Sequence, residues 1–233
     1  MACTKSSAPP PNTASLQLSF SNLVNGQPMV LRTTNYVNAA GETFNITMFK
    51  YYVSNFSLTT TSGQEISLTP EYFLVNEDSD STKVITLQKL PAGTYRSISF
   101  LLGVDSARNN SGAQTGALDP VNGMFWTWNS GYVMAKLEGS SPVSTMPANL
   151  VEFHIGGFKG ANNVLRSVQL NFPAPVELVQ NGHADFKITA DAYTWFDQPN
   201  RISFQQLASC TTPGAQAAAI ADNYKSMFTI KAD

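Results

Sequence analysis

Histidine, cysteine and charge are all scarce in this sequence. Its 233 residues include two histidines, two cysteines and three tryptophans; 13% of residues are charged, and the formal net charge is -2. The fourteen Lys+Arg residues form no cluster, so nothing tracks a phosphate backbone or an anionic membrane surface, and nucleic-acid binding is excluded. No apolar run reaches the roughly eighteen residues of a membrane-spanning helix. Catalytic signatures are missing too: there is no His-Glu-x-x-His, no Cys-x-x-Cys, no phosphate loop and no Gly-x-Ser-x-Gly elbow. A serine triad would have to use His154 or His183, and no serine is distinguished by its neighbours. Glu71, Glu77, Asp78 and Asp80 read as a solvated loop rather than the carboxylate pair of a glycosidase. The expectation is a binding protein, not an enzyme.

The two cysteines sit far apart. Cys3 follows a small residue and opens a Ser/Pro-rich stretch to Ser15, which has linker composition. This resembles the processed junction of a bacterial lipoprotein, with Cys3 carrying the lipid, residues 1–15 as a tether and residues 16–233 as the domain. The expected location is the periplasm or cell surface, with the membrane reached only through the lipid anchor. The alternative is an ordinary free cysteine in a tail. A Cys3–Cys210 disulfide would require the tether to fold back, and is not expected. Abundant Ser, Thr, Asn, Gly and Pro fit an extracytoplasmic β-protein.

What the chain does have is many short apolar runs separated by turn residues. Hydrophobic residues make up 42% of the sequence, enough for a sizeable core. Leu16-Gln17-Leu18-Ser19-Phe20 alternates as a half-buried strand does. Further strands are expected at Ile46–Tyr52, Val53–Thr60, Tyr72–Val75, Val84–Leu87, Tyr95–Leu102, Leu150–Ile155, Val164–Phe172, Val176–Val179 and Ala184–Tyr193. The pattern predicts an all-β fold, an antiparallel β-sandwich with a short C-terminal helix over Ala215–Tyr224. Ile220, Tyr224 and Met227 would form the buried stripe of that helix.

Three segments carry chemistry. Gly123-Met124-Phe125-Trp126-Thr127-Trp128-Asn129-Ser130-Gly131-Tyr132 holds two of the three tryptophans at alternate positions, so on a strand both indoles face one side. They either fill a core or make a special site. The loop from Gly103 to Pro120 is rich in side-chain oxygens, and Asp105, Asn109 and Asp119 are candidates for a second cation site, for calcium; its spacing matches no EF-hand, which favours a loop braced by Asx turns over that site. In Phe153-His154-Ile155-Gly156-Gly157, His154 faces away from its apolar neighbours, so it need not be a core histidine.

Taken together, these pieces resemble a known family. Tyr51-Tyr52-Val53-Ser54-Asn55, Pro91-Ala92-Gly93-Thr94-Tyr95, Gly103-Val104-Asp105-Ser106, Gly116 to Pro120, Gly123 to Tyr132, Leu137-Glu138-Gly139 and Phe153 to Gly157 occur in the order associated with the MbnP-like family. Ala221 to Tyr224 and Met227-Phe228 are similar too. The resemblance implies a periplasmic or surface-exposed β-sandwich that binds copper, with a dihaem partner of the cytochrome-peroxidase/MauG type. It further implies oxidation of a tryptophan to kynurenine, whose aniline nitrogen joins histidines at the metal. Carried onto this chain, Trp126 or Trp128 is the residue modified, and His154 and then His183 are the ligands. The alternative is a β-sandwich surface lipoprotein without a metal that binds a glycan or a protein through an exposed platform of Trp126, Trp128 and Tyr132.

Overall fold

The computed structural model describes residues 13–128 and 131–232; Cys3, with the lipidation expected there, lies outside them. From the N-terminus the chain forms β1 (Thr13–Val24), β2 (Gln27–Pro28), β3 (Asn35–Val37), β4 (Thr43–Thr60), β5 (Glu65–Ser67), β6 (Tyr72–Asn76), β7 (Val84–Pro91) and β8 (Gly93–Leu102). After a one-turn helix α1 (Ser106–Asn110) come β9 (Phe125–Trp126), β10 (Gly131–Ser140), β11 (Leu150–Gly156), β12 (Arg166–Leu178), β13 (His183–Asp191) and β14 (Ser209–Cys210), followed by helix α2 (Ala215–Tyr224) and β15 (Phe228–Ala232). No helix among the described residues is long and apolar enough to cross a membrane.

These strands make two packed sheets with a short C-terminal helix. The smaller sheet runs β15-β13-β1-β2, with β7 on β1; the larger runs β12-β8-β4-β10-β11-β14, with β3, β5 and β6 on β4 and β9 on β10. The sandwich matches the expectation, but the sheets are mixed. β1 pairs in parallel with β13 from Ser15↔His183 to Leu23↔Asp191, and β11 pairs in parallel with β14. Period-two alternation fixes which side of a strand is buried and says nothing about its neighbour's direction, so the parallel pair is invisible in the pattern.

β1 shows that alternation without a break: its even-numbered residues from Ala14 to Val24 are all buried. Its described range begins at Thr13, and Leu16, the expected start of the domain, lies within it. Asn25 and Gly26, both at positive φ (51° and 76°), close the β1–β2 hairpin with the left-handed pair that such turns require. Phe20 of β1 and Phe228 of β15 meet Tyr51 of β4 edge-on at 6.3 and 5.6 Å, and Phe228 also meets Phe100 of β8 at 5.1 Å. Under β11, Phe153 packs on Phe196 and Phe204. The third tryptophan, Trp195, is fully buried against Phe49 and Tyr224. Helix α2 closes this end with Ile220 and Tyr224 buried as expected, while Met227, also buried, lies beyond the end of the helix. The inner faces of β10 and β11 are thus committed to the core, and their outer faces are left for other uses.

Candidate metal centre

β10 and β11 run antiparallel with Lys136 opposite His154 and Glu138 opposite Glu152. The inward residues Ala135, Leu137, Val151, Phe153 and Ile155 are buried, so alternation turns Lys136, Glu138, Glu152 and His154 together onto the outer face. Diagonal neighbours on such a face are within reach of long side chains. His154 Nε2 lies 2.8 Å from Glu138 Oε1 and 3.9 Å from Glu152 Oε1. One ligand atom from each of Glu138, Glu152 and His154 lies within 4.8 Å of the others, close enough for small side-chain adjustments to bring all three onto one ion. Lys136 Nζ sits 3.0 Å from the same Glu138 oxygen. The hydrogen bond from His154 and the contacts of Lys136 outweigh burial, and hold the Glu138 carboxyl down to about 2. On the far side of β10, β4 places Lys50 opposite Lys136 and Met48 opposite Glu138.

The tryptophan loop lies over this face. Asp119 Oδ1 accepts from Val121 N and opens a 3-10 turn at Pro120, which Gly123 ends at φ 70°. Two lysines from the sheet pin its last carbonyls: Lys50 Nζ donates to Asn122 O at 3.1 Å and Lys136 Nζ to Gly123 O at 3.3 Å. Phe125 and Trp126 then pair with Tyr132 and Gly131 as β9. The expected strand through Trp128 is therefore shorter than the alternation suggested, because residues 127 and 128 turn away. The indoles nevertheless remain together, with ring centroids 5.3 Å apart and planes tilted by 41°. Trp126 is 7% exposed and Trp128 62%.

Gly156 explains where Trp126 rests. A Cβ at this position would come within 2.5 Å of Trp126 Cζ3, so the ring lies directly on the glycine backbone. Gly156 is two residues beyond His154, on the same side of β11, and same-side positions along a strand repeat about every 7 Å. The buried indole thus occupies the position next to His154 in the outer row. On its other side Trp126, with Tyr132 and Phe158, borders a cavity of about 580 Å³.

The remaining candidates are placed elsewhere. His183 opens β13 in the smaller sheet, so the structure does not bring it into the cluster with His154. Its Nδ1 is 2.7 Å from Ser15 Oγ and its Nε2 is 3.0 Å from Asp185 Oδ1, a Ser–His–Asp row that the sequence did not single out. His183 and Asp185 are each 45% exposed on an open sheet face, and the Ser15 N–H is bonded to Gly182 O. Such a row has neither the water exclusion nor the converging N–H pair that acyl transfer needs. Asp105, Asn109 and Asp119 use their side-chain oxygens on the chain itself. Asp105 caps α1 through Ala107 N and Arg108 N and is held by Tyr72 and Asn55; Asn109 Oδ1 accepts from Tyr132 N. Burial works against the charge of Asp105, but those hydrogen bonds win and its carboxyl stays below the usual range. These are the Asx braces weighed beside the calcium reading. Cys210 is a buried free thiol, pushed up by burial. The three-ring platform is not open either: Trp126 and Tyr132 are buried, leaving Trp128 alone at the surface.

Glu138 and Glu152 escaped sequence reasoning. Lys136-Leu137-Glu138 and Glu152-Phe153-His154 each put two polar residues on one side of a strand, yet only the β10–β11 register brings the two pairs together. As a donor set, one imidazole and two carboxylates suit a borderline divalent ion such as Cu(II) better than Cu(I), which prefers sulfur.

Likeness to known proteins extends over most of the chain. A family model described as MbnP matches residues 13–212. Among solved structures, MbnP from Methylosinus trichosporium aligns with a TM-score of 0.61 at 13% identity, over 94% of this chain and 99% of that one, a likeness of fold. No curated protein matches.

Proposed function

The chain belongs to the MbnP family, and from that premise we propose that it is an extracytoplasmic copper-binding protein whose site is built from Glu138, Glu152 and His154, with Trp126 at its edge. The observation that carries this reading is the convergence of one imidazole and two carboxylates on a single sheet face, with a buried indole at the next position. His154 supplies nitrogen, the two glutamates supply oxygen and the charge that favours a divalent cation, and the loop over Lys50 and Lys136 limits water.

Trp126 is the tryptophan we assign to oxidation. Its ring rests on Gly156, two residues beyond His154 on the same side of β11, whereas Trp128 is exposed and tilted against it. Conversion to kynurenine opens the pyrrole ring by adding two oxygen atoms, and hydrolysis removes one carbon as formate. The aniline nitrogen left behind is a ligand that an intact indole lacks. A dihaem partner of the MauG type would supply the oxidising equivalents, and Cys3 with its Ser/Pro-rich tether would hold the protein at a membrane outside the cytoplasm. Burial of Trp126 and Tyr132 favours this reading over the glycan or protein platform.

Intact-mass analysis after co-expression with such a partner tests the modification. The expected result is a mass shift matching loss of one carbon and gain of one oxygen, mapped to Trp126 and absent from Trp126→Phe. An unmodified chain that takes up copper no better than Glu138→Gln/His154→Ala would overturn the assignment.

A further inference from the structure

Glu138 Oε1 already has two partners before any metal arrives, His154 Nε2 at 2.8 Å and Lys136 Nζ at 3.0 Å. Lys136 is no loose surface lysine: its side chain is 12% exposed, enclosed between the sheet and the tryptophan loop, where it also donates to Gly123 O. A second ammonium lies alongside. Burial and then the charge of Lys136 hold Lys50 below the usual lysine range, and Lys50 is tied to Asn122 O. An ion coordinated through Oε1 of Glu138, the oxygen nearest His154, would stand about 2 Å from the atom that Lys136 now holds. A divalent charge and an ammonium cannot share that oxygen at such a separation. The four-carbon stem of lysine lets the ammonium move where a guanidinium fork would not.

We propose that Lys136 is the resident counter-ion of this site, setting its affinity for divalent cations and, when displaced, reporting occupancy to the tryptophan loop through Gly123. This rests on the reading of Glu138, Glu152 and His154 as metal ligands. Without metal, Lys136 neutralises Glu138 and ties down the end of the 3-10 turn, three residues before Trp126. With metal bound, Nζ leaves Oε1, the strap on Gly123 changes, and the indoles move relative to Gly156. The lysine thereby raises the concentration at which the site fills.

The test titrates Zn(II), a redox-silent probe of the site, against a chelating dye, while tryptophan emission is followed in the full chain. Lys136→Met should bind Zn(II) about tenfold more tightly than the parent, the gain shrinking as salt rises. Lys136→Gln should behave similarly, and Lys136→Arg should return affinity to the parent value or below. Zn(II) should change the tryptophan emission of the parent, and change it less in Lys136→Met. Equal or weaker binding by both neutral variants, with His154→Ala still abolishing binding in every background, would overturn the role of Lys136 and leave the ligand assignment standing. Absence of Zn(II) binding by the parent and Lys136→Met alike would overturn the ligand assignment, and this inference with it.

Discussion

The two histidines each pair with a carboxylate and stand in opposite situations. His154 touches Glu138 at 2.8 Å and His183 touches Asp185 at 3.0 Å, so the carboxylate contact alone does not separate them. What separates them is cover. The His154 side chain is 16% exposed, beneath a loop strapped down by two lysines, while His183 is 45% exposed on a bare sheet. Charge pairs in water contribute little, whereas the same pair with water held off is strengthened and its neighbours can be fixed. Chemistry is therefore expected at the covered histidine.

The widest separation between the two sites should come from metal affinity. His154→Ala is expected to weaken Cu(II) binding roughly a hundredfold, while His183→Ala leaves it unchanged, by competition titration. Equal losses at both positions would break the comparison. Next in size is the seat of the indole. Gly156→Val puts a side chain where the Trp126 ring lies, and should cost about 1–3 kcal/mol in denaturant unfolding and raise tryptophan exposure to quencher.

Acid sharpens the contrast further in the metal-free protein. The Glu138 carboxyl is lowered from 4.5 to about 2 by His154 and Lys136, so unfolding takes up a proton there. Its contribution is present above pH 4.5 and is lost as pH falls toward 2. Glu138→Gln should flatten the stability profile in that window, measured by thermal unfolding at fixed salt. The smallest effect is expected at the exposed ring: Trp128→Phe should change stability by no more than about 0.5 kcal/mol, so a larger loss would mean that Trp128 is structurally embedded.

Much of this architecture was legible in the chain before its structure. The alternation in β1 and the stripe Ile220, Tyr224, Met227 are local patterns, and local patterns report burial directly. Runs that read as separate segments, Ile46–Tyr52 with Val53–Thr60 and Val164–Phe172 with Val176–Val179, belong to single long strands, β4 and β12, whose pairing continues past irregularities near Asn55 and between Asn171 and Val176. His154 was found because the alternation of β11 turns it away from Phe153 and Ile155. Glu138 and Glu152 were not, because each is an ordinary outward carboxylate until the register across β10 and β11 sets them beside one imidazole. The same reason hid the Ser15–His183–Asp185 row, whose members lie on two strands far apart in sequence and parallel in space.

That parallel pairing also orders the birth of the molecule. β1 can find β2 and β7 early, but its other edge, nine register positions from Ser15 to Leu23, waits for a partner that begins only at His183, and β13 in turn waits for β15 near the C-terminus. Contacts this distant along the chain are slow to form, and an unpaired edge is a template for wrong partners. As the chain emerges from its N-terminus, the smaller sheet cannot close until β13 and β15 have appeared. A chain cut anywhere before β13 retains an open strand edge along β1, so any machinery that carries or guards the nascent protein meets that edge until β13 has emerged.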